Sequence, residues 1–166
     1  VNKSSLPKVY GGFNTSLSWK GFDLSAIFAY SIGGYIYNRD ITMILHNGSL
    51  EGRAWSTEIL RRWTPDNRYT DVPALSTTSN NWNSASTRFL QNNSYMRLKN
   101  LTLSYNLPKP WVSKLALSSV QVYVQGDNLF TIHRNQGLDP EQGITGITYY
   151  RYPAMRTISG GINISF

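Results

Sequence analysis

The chain has 166 residues, of which 15% are charged and 13% aromatic, and it contains no cysteine. The absence of cysteine excludes disulfides, thiolate metal sites and cysteine catalysis, and the charged fraction is low beside the roughly 25% that is usual for soluble domains. The net charge of +7 comes from basic residues spread over predicted strand ends and turns, among them Lys20, Lys109, Lys114 and Arg156. Because nucleic-acid binding needs a clustered basic stripe on a recognisable module, we expect no nucleic-acid partner.

The first predicted elements are two strands joined by a tight turn. Apolar residues alternate with small polar ones from Phe13 to Trp19, and a second alternating run follows from Phe22 to Tyr30. Between the runs stands Lys20-Gly21, which suits a two-residue hairpin turn. Since side chains along a strand point alternately to its two faces, the sequence predicts a hairpin with one apolar face and one smaller, more polar face.

A long connection, over about residues 33–93, follows the hairpin. Its segments 37–45 and 53–63 are predicted to be helical, the second because its large apolar residues recur near helical spacing. No stretch of the chain reaches the roughly 18 continuous apolar residues of a transmembrane helix. Connections of this length inside a compact domain are uncommon and usually carry function.

Two further strands and a second long connection follow. The third strand is predicted over 95–106. Its apolar residues change face near Asn100, which either a bulge there or a strand emerging from lipid at that point would explain. The fourth is predicted around Val120–Val124, where valines alternate with polar residues. We expect it to end at the turn residues 126–128, and a long connection to run over about 130–153.

The last strand has the clearest alternation. One face carries small polar residues, and the other is apolar and ends on an aromatic residue, with Ile158, Gly160, Ile162, Ile164 and Phe166 in line. A strand with lipid on one side and a wet lumen on the other needs this pattern. The last strand of a soluble β-sandwich also alternates, so the strand alone leaves both architectures open.

The connections alternate between short and long, which places both long loops on one side of the sheet. Outer-membrane barrels have this asymmetry, with short periplasmic turns and long extracellular loops. The sequence therefore predicts an all-β fold, an antiparallel meander of about five long strands that forms the last part of a large transmembrane β-barrel with long, partly helical extracellular loops. Because five strands cannot close such a barrel, we expect residues 1–166 to be its C-terminal portion, with earlier strands upstream of Val1.

Ordered motifs along the chain resemble one family. The segments PKVYGGF (7–13), LSWKGFDLS (17–25) and RWTP (62–65) are similar to its late barrel strands, and the stronger matches are SYMRLKNLTLSYNLP (94–108) and VYVQGDNLFT (122–131), followed in the same order by GLDPE (137–141) and YPAMRT (152–157). Through these motifs, over nearly its whole length, the chain resembles the SusC/RagA-type TonB-dependent outer-membrane transporters.

The resemblance implies a barrel of about 22 strands in the outer membrane of Bacteroidetes-type bacteria. It also implies an N-terminal plug that couples to the TonB complex, absent from this chain, and a SusD-like surface lipoprotein that caps the barrel. The cargo of such transporters is an oligosaccharide or a peptide. In the family the end of the last strand carries a barrel-assembly signal, which assigns that role here to Ile158, Gly160, Ile162, Ile164 and Phe166.

No catalytic, metal-binding or phosphate-binding set emerges from the sequence. His46 and His133 are the only histidines, and neither has metal-ligand spacing with an acidic residue. Asp139 and Glu141 flank Pro140, where we favour a turn held by the proline over a calcium site. We therefore expect neither an enzyme nor a bound cofactor.

Aromatic residues of the long loops are candidate contacts for the lid or the cargo, because aromatic rings cover sugar rings and bury large areas. The candidates are Trp55, Trp63, Trp82, Tyr149 and Tyr150. Packing within the loops is the alternative role for each of them.

For the whole chain, the alternative function is a soluble, secreted, β-rich carbohydrate-binding module. Solubility without detergent discriminates the two functions, since the outward faces and open edges of a barrel segment aggregate in water.

Overall fold

In the part of the chain that the structure describes, long strands dominate and the short helices lie in the connections. The computed structural model describes residues 2–46, 52–76, 84–135, 137, 139–141 and 143–166. The elements are β1 (Val9–Trp19), β2 (Phe22–Ile32), β3 (Tyr35–Asn38), α1 (Arg39–Ile44), 3₁₀ helices at Thr57–Arg61 and Thr87–Phe89, β4 (Leu90–Asn92), β5 (Tyr95–Asn106), α2 (Lys109–Val112), a 3₁₀ helix at Ser113–Leu115, β6 (Ser119–His133), β7 (Ile147–Thr148) and β8 (Thr157–Ser165). Over these described ranges, every helix is too short or too polar to cross a membrane.

The five long strands form one antiparallel sheet in the spatial order β1-β2-β5-β6-β8. Each strand therefore lies beside the next long strand along the chain. Lys20-Gly21 joins β1 to β2, and their φ angles of 46° and 87° lie in the left-handed region that this kind of two-residue hairpin turn requires. The predicted five-stranded meander and its first hairpin are confirmed.

A bulge in β5 keeps its apolar residues on one face. In the pairing of β5 with β2, Leu98 lies opposite Phe28, and Asn100 lies opposite Ile27, the neighbour of Phe28. One step along β2 therefore corresponds to two steps along β5. The extra residue is Lys99. One extra residue shifts the alternation by one position. Of the two explanations for the change of face, the structure therefore supports the bulge.

β6 is longer than the sequence pattern indicates. We expected this strand to end at residues 126–128, and that expectation is wrong because β6 continues to His133. Residues 126–128 instead belong to an irregularity inside the strand. Asn128 has a φ of 52°. The Leu129 side chain packs so closely against Gly126 that a Cβ on Gly126 would lie only 2.6 Å from Leu129 Cδ2. Residues typical of turns here mark a bulge rather than a strand end.

The two long connections fold together into a small body at one end of the sheet. β3 pairs antiparallel with β4 and parallel with β7, which gives a three-stranded sheet in the order β4-β3-β7. This sheet is not evident in the sequence because its strands are only two to four residues long. Most of the buried apolar side chains of the described residues lie in these connections, among them Ile36, Leu45, Ile59, Val72 and Phe89. The apolar core therefore lies in the loops.

The two predicted helical segments of the first connection have different outcomes. α1 lies within the first segment, and its N-cap Asn38 accepts a hydrogen bond from the third residue of the helix at 3.1 Å. Within 53–63, only Thr57–Arg61 forms a helix, and it is a 3₁₀ helix. Ser56 caps this helix in an extended conformation, so Trp55 precedes the helix. The helical prediction for 53–63 was too long, because a local cap interrupts the apolar spacing.

Candidate functional site

The five long strands carry most of their larger apolar side chains on one face, which we call the outer face. The pairing register aligns them in rows across the sheet. One row consists of Leu17, Leu24, Leu103 and Val124, and another of Trp19, Phe22, Tyr105, Val122 and Ile162. Leu17 is 66% exposed and Ile162 is 62% exposed. A continuous exposed apolar face of this extent needs an apolar environment.

The height of the outer face matches the hydrocarbon layer of a membrane. β1 has 11 residues, so it extends about 34 Å along its own axis. A strand tilt of about 40° from the barrel axis reduces its extent along the membrane normal to about 26 Å. Aromatic residues stand toward the short-turn end, where Phe22 and Tyr105 have ring centroids 4.5 Å apart and the Lys20 ammonium lies 4.9 Å from the Trp19 ring centroid. Amphipathic aromatics and lysines at this level are typical of a membrane interface.

The opposite face, called the inner face, carries polar side chains that bond to one another across strands. The Gln121 amide donates to Asn106 Oδ1 at 3.1 Å and accepts from Asn163 Nδ2 at 3.1 Å. In a second group, Asp127 accepts from Asn100 Nδ2 at 2.8 Å. Networks of this kind satisfy polar groups that face a wet lumen or another polar surface. The two-faced pattern predicted from the sequence is therefore present across all five strands.

An ion cluster ties the second long connection to the inner face. The Arg97 guanidinium donates to Asp139 Oδ1 at 2.5 Å and to Glu141 Oε2 at 2.8 Å, and its Nε donates to Thr131 Oγ1 at 2.8 Å. Lys99 Nζ also donates to Glu141. The side chains of Arg97 and Asp139 are only 4% and 7% exposed. Sequence reasoning missed this cluster, although the basic residues in β5 were the signal that could have found it.

Hydrogen bonding holds Asp139 in its charged form. Burial opposes the charge, but hydrogen bonds from the backbone N–H groups of Ala154 and Glu141 and from Arg97 together outweigh burial and lower the pKa of Asp139. Its contribution to stability is therefore present above the ordinary carboxyl pKa and is lost as the pH falls through the lowered value. These partners occupy the carboxylates of the turn at Pro140. Within the described ranges, no group of three or more His, Asp or Glu could hold a metal ion.

Two of the candidate aromatics lie together where the two connections meet. The ring centroids of Tyr149 and Tyr150 are 4.1 Å apart, and the Arg39 guanidinium lies 4.8 Å from the Tyr149 ring centroid. Tyr150 has a φ of 48°, a conformation rare for an aromatic residue, and Asp40 Oδ1 holds it by accepting from its backbone N–H at 3.0 Å. Tyr150 is 63% exposed. This arrangement presents a paired aromatic surface to solvent.

The candidate tryptophans have different surroundings. Trp55 Nε1 donates to Nδ1 of the buried His46 at 3.0 Å, so its polar atom is already bonded within the loop. Arg53, two residues earlier, reaches the Tyr150 hydroxyl at 3.4 Å, which connects this segment to the tyrosine pair. Trp63 is 43% exposed, and its backbone N–H bonds to Val72. Trp82 lies outside the described residues.

β8 pairs with β6 along its whole length. Its outer residues share one exposed face, as expected, and they are Ile158, Gly160, Ile162 and Ile164, with the exposed Phe166 just beyond the strand. On the inner face, Gly161 lies opposite Tyr123, and a Cβ there would approach the Tyr123 hydroxyl to 2.7 Å. Glycine at this position lets the tyrosine ring cover the strand.

Comparisons with known proteins agree with this geometry. No protein-family model matches the chain. It is 37% identical to TonB-dependent receptor P3 of Formosa agariphila over 93% of this chain and 16% of that protein. It is 31% identical to TonB-dependent receptor P26 of the same organism over 98% of this chain and 17% of that protein. Against TonB-dependent receptor SusC of Bacteroides thetaiotaomicron, the identity is 26% over 100% of this chain and 16% of that protein.

Solved structures add the fold. The structure of the RagAB peptide importer in the open-open state matches with a TM-score of 0.88 and 35% identity, and the closed-closed state with a TM-score of 0.86 and 35% identity. Each match covers 100% of this chain and 18% of the other chain. The chain is thus an outer-membrane β-barrel segment. Its sequence and fold are similar to those of a segment of the SusC/RagA-type TonB-dependent transporters, and it spans less than a fifth of the length of the relatives it matches.

Proposed function

We propose that this chain forms the C-terminal part of the barrel wall in a TonB-dependent outer-membrane nutrient importer. The observation that carries the proposal is the two-faced sheet of five strands, apolar outside and polar inside, in a chain similar to SusC and to a solved peptide importer. Strand edges in hydrocarbon must be paired. The proposal therefore includes further strands elsewhere in the full protein, which pair with the free edges of β1 and β8 and close the barrel.

Within this importer, residues 1–166 supply wall and loops, and the other functions belong to other parts. A plug elsewhere in the protein fills the lumen and couples to the TonB complex. A SusD-like surface lipoprotein covers the loops, and the cargo is an oligosaccharide or a peptide. The names of the SusC and RagAB relatives support this assignment. The proposal gives the chain no catalytic step, and these relatives are receptors and importers rather than enzymes.

Cell fractionation tests the membrane assignment. The full-length gene product is expected in the outer-membrane fraction, with the heat-modifiable electrophoretic migration of a folded barrel. Residues 1–166 expressed alone are expected to aggregate without detergent, because the outer face and both edge strands are exposed. A monodisperse, detergent-free monomer of 1–166 that binds glycans would contradict the proposal and favour the soluble carbohydrate-binding module.

The tyrosine pair is the proposed contact for the lid or the cargo, together with the nearby segment that carries Trp55. Trp63 and Trp82 remain proposed contacts on the same loops. We expect the double substitution Tyr149→Ala and Tyr150→Ala to weaken binding of lipoprotein or cargo about tenfold, the effect of losing roughly 1.4 kcal/mol of aromatic contact. Titration calorimetry with the purified full-length barrel measures this change.

A tryptophan at the other end of the sheet provides the control. Trp111 is 63% exposed in the connection after β5, and Trp111→Ala is expected to leave both affinities unchanged. If the tyrosine double variant also binds lipoprotein and cargo with unaltered affinity, the assignment of the pair is wrong and its role is packing.

The outer residues of β8 and Phe166 are proposed to carry the barrel-assembly signal. Phe166 is 93% exposed, so its replacement removes little packing. Phe166→Asp is expected to reduce the amount of folded barrel in the outer membrane several-fold, since a charge replaces the apolar surface to be recognised. Quantitative immunoblotting of unheated samples measures the folded fraction. Ser165→Asp, on the inner face, is the matched control, and an equal loss in both variants would argue against a specific signal.

A further inference from the structure

A cationic cavity lies at the loop end of the long sheet. Its volume is about 670 Å³, and three basic side chains line it, from Lys3, Lys8 and Arg134. Among the residues that the structure describes, none of the three has a carboxylate within ion-pairing distance, and no acidic residue lines the cavity. Three basic groups around one space, without counter-charges, favour an anionic ligand.

The segment that contributes two of these cations is fixed to β2 of the long sheet and to β3 of the small sheet. The Lys8 backbone N–H donates to the Ile32 carbonyl at 2.9 Å, and the Tyr35 N–H donates to the Ser4 carbonyl at 2.9 Å. The Lys8 side chain lies against Gly33, where a Cβ would approach its Cγ to 3.0 Å. These contacts fix the segment that carries Lys3 and Lys8 before a ligand arrives.

A tyrosine in the wall of the cavity responds to the positive charge. Lys3 Nζ donates to the Tyr35 hydroxyl at 2.9 Å and lies 4.3 Å from the ring centroid. The hydrogen bond from Lys3, with the charges of Lys3 and Lys8, lowers the pKa of Tyr35. A phenol in this setting can donate a hydrogen bond to a bound anion beside the ammonium groups.

The cavity also has apolar walls, which continue the outer face. Ile32 is the last residue of β2, follows the outer-face alternation and is 55% exposed, and Leu6, which also lines the cavity, is 57% exposed. The cations therefore stand where the apolar wall ends and the extracellular loops begin. In a barrel, this is the level at which the headgroups of outer-leaflet lipids lie.

We infer that this cavity binds the phosphate group of an outer-leaflet lipid headgroup, with the lipid chains running down the outer face past Ile32. The inference goes beyond nutrient import, and it rests on the proposed membrane placement of the sheet. Cations alone would suit any phosphate. The combination with exposed apolar residues on the same wall favours a phosphate that carries acyl chains, because both parts of such a ligand find a partner.

The test uses the full-length barrel, purified and delipidated in neutral detergent, with dioctanoyl phosphatidic acid as the probe and native mass spectrometry as the readout. The triple variant Lys3→Ala, Lys8→Ala and Arg134→Ala is expected to weaken binding about 100-fold, since each basic residue near an anionic lipid contributes about a factor of five. The matched control removes three cations at the short-turn end, by Lys20→Ala, Lys109→Ala and Lys114→Ala, and is expected to bind like the unmodified barrel.

Two further probes separate the sources of affinity. Dioctanoylglycerol has the same chains without phosphate, and inorganic phosphate lacks the chains; both are expected to bind much more weakly. Equal binding of dioctanoylglycerol would reduce the site to an apolar groove, and equal binding of inorganic phosphate would make it a site for soluble phosphate. Either result overturns the inference, as does unchanged binding of phosphatidic acid by the triple variant.

A fold control keeps the result interpretable. Heat-modifiable migration in the outer-membrane fraction tests the membrane placement separately from lipid binding. If the triple variant does not fold, the double variant Lys8→Gln and Arg134→Gln keeps the hydrogen bond between Lys3 and Tyr35, and it is expected to weaken binding about 25-fold on the same reasoning. Full binding by the folded double variant would contradict the inference.

Discussion

Replacing Ile158 with arginine is expected to destabilise the membrane-embedded barrel by about 2–4 kcal/mol, the cost of a basic residue near the middle of a bilayer on the lipid face. Ile158 is 71% exposed and aligns with Gly126, in the row midway between the two ends of the outer face. A substitution at so exposed a site on a soluble protein typically changes stability by no more than about 0.5 kcal/mol. Denaturant unfolding of the full-length barrel in lipid vesicles measures the difference.

A second outer-face isoleucine provides the depth control for this experiment. Ile132 is 63% exposed near the loop end of β6, where an arginine can reach the headgroups. Ile132→Arg is expected to cost only about 0–1 kcal/mol. Similar free energies of unfolding for the two variants would mean that Ile158 does not lie near the middle of a bilayer.

Replacing Arg97 with alanine is expected to release the second long connection from the inner wall, at a cost of about 3–5 kcal/mol in local stability. The substitution leaves the Asp139 carboxylate, only 7% exposed, without its guanidinium partner in a buried site. Asp139 in turn accepts from the backbone N–H groups of Glu141 and Ala154 at 2.9 and 2.7 Å. Hydrogen exchange of these two amides is therefore the direct measurement, and both are expected to exchange faster.

Two variants separate the role of the buried ion pair from a general loss of charge. Lys99→Ala removes a cation that is 33% exposed, and it is expected to change local stability by less than about 1 kcal/mol. The double variant Arg97→Gln and Asp139→Asn removes both charges and keeps hydrogen-bonding groups, so it is expected to restore much of the protection lost in Arg97→Ala. Unchanged exchange at Glu141 and Ala154 in Arg97→Ala would show that other contacts hold the connection.

The long strands could be predicted from the sequence because their pattern is local. Alternation between apolar and polar residues fixes the face of each side chain, and Lys20-Gly21 identifies its turn without any long-range information. The bulge in β5 was one of two explanations that the sequence offered, since a strand with one extra residue shows the change of face in its own sequence. The order of the sheet then follows from short turns, which leave successive strands as neighbours.

The structure of the loops could not be predicted in the same way. β3, β4 and β7 are too short to show a pattern, and each pairs with a strand that is distant along the chain. The partnership of Arg97 with Asp139 joins residues 42 positions apart, and neither residue indicates the other locally. The length of β6 was missed because Gly126 and Asn128 are residue types typical of turns, whereas here tertiary pairing with β5 carries the strand through them.

The extra residue in β5 also has a consequence for comparing such strands between proteins. Before Lys99 the even-numbered side chains, such as Met96 and Leu98, lie on the outer face, and after it the odd-numbered ones do, such as Leu101 and Leu103. A single reading frame of the alternation therefore misassigns one half of the strand. If an alignment places the gap elsewhere in β5, every position between that gap and Lys99 is assigned to the wrong face, so lipid-facing and lumen-facing residues are exchanged. The substitutions that each of these positions tolerates are then misassigned as well.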